Sequence, residues 1–411
     1  MKNFGDNKQQ YYEFDDLNKE IIFHKIEMPS PWINYLTNGD FFTMISHAGG
    51  NLSWYKTPET WRIGRYPFFN LPTDGNGLFI YLKDLETNTV WNPNILPTNT
   101  KLDSFESRHG LGYTKFISSK DGIKVELLCF VGKDNALIFK LKIISNKDKK
   151  IQLFNAKEMA NMEYLREVQW ECYTRNSHNI CFKKDYDCLL YNYFIDHQGR
   201  PKQTPDVFFT STKKSTSYTA VRRDFTGFYR DLSNPICIEK GKCPNTELLG
   251  GEGIFAFSYD IFLKANELFE ISFILGTIEH GEDYRHVIKK FKNGYMLYLE
   301  INRKPNERFY KPRRKKLKIV VDAIQELVDD ELDELFISMP PRVGKTTLIM
   351  FALTWIMGRD SEMSNLYSAY SDVITAAMYA GVLEVINDNF TYTWHEIFPN
   401  SKIANTNAKD E

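Results

Sequence analysis

Residues 135–145 read NALIFKLKIIS. Leu137, Phe139, Leu141 and Ile143 recur at a period of two, with Lys140 and Lys142 between them. That spacing turns one face of an extended chain toward a core and the other toward water. The polar run 146–150 (NKDKK) predicts a turn, and alternation restarts over 151–154. Phe255, Phe257, Tyr259, Ile261 and Leu263 repeat the pattern. Ala265-Asn266-Glu267 turns the chain, and Phe269, Ile271, Phe273 and Leu275 return. Between residues 41 and 275 the chain therefore predicts a β sandwich, and its length favours two large sheets over seven short strands.

The composition fits this reading. The chain has 411 residues, enough for two or three domains, with 42% hydrophobic and 26% charged residues. Aromatics reach 15%, which suits a strand-rich core and also suits stacking against the C–H faces of sugars. Trp32, Trp54, Trp61 and Trp91 are expected mainly in the core. A formal net charge of −1 gives no global attraction to nucleic acid or to an acidic membrane. The opening MKNFGDNKQQ lacks an apolar secretory core, and no stretch is long and apolar enough to span a membrane. The six cysteines form no C-x-x-C, and the eight histidines show no metal-ligand spacing. Free thiols in a reducing cytoplasm, with no metal site, are the expectation.

The period changes after residue 278. Tyr284, Val287, Ile288 and Phe291 lie at helical spacing, and Asn293-Gly294 is a helix stop. A basic cluster at 311–316 (KPRRKK) precedes an amphipathic helix through Leu317, Val320, Val321, Ile324, Leu327 and Val328. Strands are expected at 335–338 and 365–371, and helices at 345–357 and 372–386. Strand–helix–strand–helix is a parallel α/β order. The expected domains are 1–278, a junction at 279–295, and 296–411.

Ordered segments in the first part carry a family resemblance. They are Pro31-Trp32-Ile33-Asn34-Tyr35-Leu36, Gly49-Gly50-Asn51-Leu52-Ser53-Trp54, Leu71-Pro72-Thr73-Asp74, Val90-Trp91-Asn92-Pro93 and Arg108-His109-Gly110-Leu111-Gly112-Tyr113-Thr114. In this order they resemble the amino-terminal domain of glycoside hydrolase family 94, which includes cellobiose, chitobiose and laminaribiose phosphorylases. The resemblance implies a β-supersandwich ahead of an (α/α)6 barrel that carries the general acid and the phosphate pocket. No segment after 278 resembles that barrel. The expectation is therefore a truncated glycoside phosphorylase with a carbohydrate-binding sandwich and no phosphorolysis. The family's loops that reach a neighbouring subunit's active site imply that 163–170, with Arg166, Gln169 and Trp170, contacts carbohydrate. A β-linked oligosaccharide and a homodimer through the sandwich are the implied partners.

The second part holds Pro340-Pro341-Arg342-Val343-Gly344-Lys345-Thr346-Thr347. It matches the end of the P-loop template, with Met339 in place of the first glycine. Backbone N–H groups at such a helix start cradle phosphate. Lys345 would reach the β- and γ-phosphates and Thr346 would ligate Mg²⁺. With 308–310, 312–314 and 366–371, the segment resembles the ATPase domain of a phage terminase large subunit. That implies Arg342, Gly344, Lys345, Thr346 and Thr347 as nucleotide-binding residues, with Mg·ATP as their ligand and Arg342 as the phosphate-sensing arginine. The acidic motif that pairs with Mg²⁺ in this family has no counterpart in 348–411, so DNA is not expected as a partner of this form. The fold expected for the whole is thus a mainly β supersandwich followed by an incomplete α/β P-loop domain, a fusion of recombination or of sequence assembly.

Overall fold

The computed structural model describes residues 11–65, 77–132, 134–160, 162–170, 176–193, 205–279, 282–285, 287–288, 298–299, 302–304, 309–329, 332–360, 364–398 and 401. It divides into two compact units, Met1–Asp283 and Tyr284–Glu411.

In the first unit the alternating stretches become strands Ala136–Ser145, Lys149–Glu158, Gly253–Leu263 and Leu268–Ile278. An eleven-stranded sheet runs from edge to edge through Glu13–Asp15, Glu20–Phe23, Ser104–Gly110, Tyr113–Lys120, Ile123–Val131, Ala136–Ser145, Leu268–Ile278, Asp206–Ser211, Cys188–Tyr193, His178–Lys183 and Leu248–Leu249. A five-stranded sheet orders Ser217–Val221, Gly253–Leu263, Lys149–Glu158, Leu78–Asp84 and Val90–Trp91. Ile33–Thr37, Phe41–Ser46, Asn51–Tyr55 and Arg62–Ile63 make a four-stranded sheet. Consecutive strands cross between sheets. Ala136–Ser145 pairs with Leu268–Ile278 in the large sheet, while Lys149–Glu158 pairs with Gly253–Leu263 in the five-stranded one. The residues singled out by their period, Leu137, Phe139, Leu141, Ile143, Phe255, Phe257, Tyr259, Ile271, Phe273 and Leu275, share one core.

The distinctive 108–114 segment is a hairpin. Gly110 pairs with Tyr113 across a two-residue turn in which Gly112 takes a φ of +84°. A Cβ on Gly110 would lie 2.4 Å from the Tyr113 ring, so both glycines serve the backbone. Arg108 and Tyr113 both bond the buried carboxylate of Glu20. Trp91 is buried and Trp54 and Trp61 are half-buried, whereas Trp32 is more exposed than a core residue.

The second unit departs from the expected α/β order. Helices form at Arg314–Val328, Lys345–Arg359 and Asp372–Asn387, close to their expected bounds. No strand forms at 335–338 or 365–371. Both stretches are irregular and alternate between half-buried and exposed, without a ladder partner among the described residues. The core is built by helices instead. Leu317, Val321 and Ile324 share it with Leu348, Phe351, Trp355, Val382, Val385 and Ile386. Trp355 and Met378 are buried, and Ile356 is half-buried against this core. Tyr370 stays exposed. The expected linker helix is described only at 284–285 and 287–288; Phe291, Asn293 and Gly294 lie outside the described residues. No helix among the described residues is long and apolar enough to cross a membrane.

Candidate functional sites

The stretch 163–170 contains a six-residue helix, Tyr164–Gln169. Strand register creates its seat. Ser53 pairs with Ile63 and Trp54 with Arg62, so Ile63 enters the core while Arg62 points to the opposite face. Backbone bonds join the two segments, Arg62 N–H to Met162 O at 3.1 Å and Arg65 N–H to Glu158 O at 2.9 Å. The helix sends Glu167 down onto this seat. Its carboxylate pairs with the guanidinium of Arg62, whose side chain is 3% exposed, and lies 3.6 Å from Arg65. Leu165, Val168 and Gln169 are exposed, and Trp170 follows at 57% exposure. Gln169 and Trp170 thus lie outward, as a contact residue must. Arg166 is on the helix, but its side chain lies outside the described residues.

Glu167, Arg62 and Arg65 went unnoticed in the sequence. They are separated by a hundred residues of chain, and their meeting depends on the register of a two-residue strand. Nearby, His178 pairs across strands with Tyr193, each 4% exposed. Among the described residues, neither imidazole nitrogen nor the Tyr193 hydroxyl has a hydrogen-bond partner. Burial, with the charges of Arg65 and Arg62, pushes the His178 pKa down to about 4. The ring is therefore neutral at ordinary pH, offering one donor and one acceptor. The adjacent Tyr191 hydroxyl donates to Ala160 O at 3.2 Å.

Beside this seat lies a buried amine. Lys157 Nζ donates to Asn51 Oδ1 at 2.9 Å and to Asn51 O at 3.3 Å, joining the five-stranded sheet to the four-stranded one. Full burial pushes its pKa down to about 7. Gly64, at a φ of +88°, lets the 62–65 ribbon pass over it; a Cβ there would stand 2.3 Å from Lys157 Cε.

Several buried carboxylates of the first unit are committed to cations: Glu20 to Arg108, Asp84 to Lys149, and Glu158 to Arg222. For Glu20 and Asp84, burial raises the pKa, but hydrogen bonds and the facing cations outweigh it and leave both below the usual range. A general acid needs the opposite shift.

In the second unit, Arg342 at φ 65° and Gly344 at φ 95° bend the chain into the Lys345–Arg359 helix. Leu348 N–H closes the first turn onto Gly344 O at 2.9 Å. A Cβ at Gly344 would meet the Phe309 ring at 2.7 Å, so glycine is required there by packing as well as by φ. Arg342, Lys345 and Thr346 are exposed and Thr347 is half-buried. The structure brings these five residues into one turn, without the strand expected ahead of it.

The first unit is an antiparallel sandwich of three sheets with strands passing between them, and similarity to known proteins says which. Residues 19–294 match the supersandwich domain of glycosyl hydrolase family 94, and the chain belongs to that family. It is 31% identical over 285 residues to an N,N'-diacetylchitobiose phosphorylase of Vibrio furnissii, covering 67% of this chain and 34% of that protein. The corresponding phosphorylase of Vibrio proteolyticus is 30% identical over 275 residues, covering 65% and 33%. A solabiose phosphorylase of Paenibacillus borealis is 25% identical over 287 residues, covering 67% and 36%. The chain spans about a third of the length of these relatives.

Proposed function

We propose that the first unit is the carbohydrate-facing module of a glycoside phosphorylase acting on β-linked disaccharides. It binds sugar, and its own carboxylates do not perform the cleavage. The family match over 19–294 carries this reading. The outward placement of Gln169 and Trp170 supports it: an indole face stacks on a pyranose and an amide bonds its hydroxyls. The commitment of Glu20, Asp84 and Glu158 to cations supports the second half, because glycosidic cleavage requires a protonated carboxyl at the leaving oxygen. This reading requires no cofactor, and a second copy of the chain is the partner it favours.

The test is calorimetric titration of the 411-residue chain with N,N'-diacetylchitobiose, cellobiose and laminaribiose, followed by assay for sugar 1-phosphate with inorganic phosphate added. Saturable binding without release of sugar 1-phosphate is expected. Absence of binding to all three would sink the first half, and release above a heat-killed control would sink the second.

A second reading concerns the turn at 342–347. Its two left-handed residues leave Lys345 and Thr346 exposed at the start of a 15-residue helix, a geometry suited to the phosphates of Mg·ATP, with Thr346 toward the metal. Weak binding of a fluorescent ATP analogue, lost in Lys345→Ala, is expected. Equal binding by both chains excludes it.

A further inference from the structure

We propose that Glu167 is a positioning residue: through Arg62 and Arg65 it sets the orientation of the Tyr164–Gln169 helix and hence of Gln169 and Trp170. This rests on the carbohydrate-binding reading of the first unit and names the device that aims its contact residues.

Four observations lead to it. A helix of six residues is far below the length at which a helix holds itself in water, so its orientation must come from elsewhere. Of its described apolar side chains, Leu165 and Val168 are 51% and 54% exposed and do not hold it down. Of the helix side chains described, Leu165, Val168 and Gln169 face out, and Glu167 alone turns in. The groups it meets are fixed before it arrives. Arg62 is held by strand register and by its backbone bond to Met162, and Arg65 by its bond to Glu158.

A carboxylate gripped by guanidinium is directional. One carboxylate oxygen faces Arg62 and the other Arg65, so the carboxylate is held from two sides. Because the pair sits at a buried Arg62, solvent screening is weak there. Rotation of the helix about its axis would move Glu167 off the fork and swing Gln169, two residues on, with it. The indole of Trp170 would follow. The exposed outer face then becomes a surface of fixed aim, suited to a flat pyranose that needs a ring at a set angle.

The experiment labels the chain with 5-fluorotryptophan, so that the seven tryptophans report separately by fluorine NMR. Trp170→Phe assigns the resonance of interest. In Glu167→Gln the Trp170 resonance is expected to move while the other six stay, the urea midpoint is expected to hold, and disaccharide affinity is expected to fall about tenfold. Glu167→Asp keeps the charge on a shorter arm and is expected to fall between the two. A Trp170 resonance unmoved in Glu167→Gln overturns the proposal. Movement of all seven overturns it too, because Glu167 would then hold the sandwich rather than aim the helix. A shift at Trp170 without loss of affinity also overturns it. If the wild-type chain binds no disaccharide, the carbohydrate reading fails by itself, and the Trp170 resonance still decides whether Glu167 sets the helix.

Discussion

Two stretches expected to be strands end differently. Ala136–Ser145 alternates apolar and polar side chains over Leu137–Ile143, and 335–338 opens on the apolar run Leu335-Phe336-Ile337. The first lies in ladders on both sides, to Ile123–Val131 and to Leu268–Ile278, and its inward residues are buried. The second half-buries Leu335, Ile337 and Met339 against a helical core, leaves Phe336 90% exposed, and has no ladder among the described residues. Apolar patterning therefore reports that a segment finds apolar company. Whether the backbone finds a partner is a non-local matter that periodicity does not encode.

The largest test of this contrast is amide exchange. The amide of Leu141 opens only with the sheet, whereas that of Phe336 has no ladder to break. With a global stability of the usual 5–15 kcal/mol, their protection should differ by about 10⁴-fold or more. Comparable protection at both would mean that 335–340 pairs in solution, and the contrast would fail.

Ion pairs give the next test. Lys149 and Asp84 are each 2% exposed, while Lys318 and Asp322 pair on an exposed helix face. Lys149→Met leaves an uncompensated buried carboxylate and should cost about 3–5 kcal/mol. Lys318→Met should cost about 0.3–0.5 kcal/mol. Urea midpoints of the two variants decide this, and equal small losses would show that the sandwich admits water at Asp84.

Lys157 sharpens the picture of the sandwich interior. Its folded pKa of about 7 lies below the ordinary lysine value of 10.5, so between these values the unfolded chain binds more protons. Its contribution to stability is therefore least below pH 7 and grows as pH rises toward 10.5. Lys157→Met should flatten the rise in urea midpoint between pH 7 and 9 relative to wild type. Parallel profiles would place the amine in contact with water.

A modest effect is expected at Tyr193. Its buried hydroxyl has no partner among the described residues, so Tyr193→Phe should stabilise the first unit by about 1 kcal/mol. Destabilisation would reveal a bound water that the hydroxyl needs.

The legible features were those with a local cause. Alternation located Ala136–Ser145, Lys149–Glu158, Gly253–Leu263 and Leu268–Ile278 to within a few residues, and helical spacing at Leu317, Val321 and Ile324 found their buried face. The order of residues in 31–114 carried the family. The strands expected at 335–338 and 365–371 were misplaced because a short apolar run also suits an irregular segment packed against helices. Gln169 and Trp170 were named by resemblance. Glu167 was not, since a lone acid between apolar residues has no local mark of the arginines that will hold it.

The two strands that end the sandwich have a consequence for its synthesis. Gly253–Leu263 and Leu268–Ile278 enter different sheets, each lodging between strands made much earlier. On the ribosome, Ala136–Ser145 and Lys149–Glu158 must wait for them through about a hundred residues of growing chain, with an open edge on each sheet. The five-stranded sheet cannot be completed before residue 263 leaves the exit tunnel, nor the eleven-stranded one before residue 278. Until then the nascent chain presents two apolar edges at once, and its survival depends on how quickly translation delivers the final hairpin.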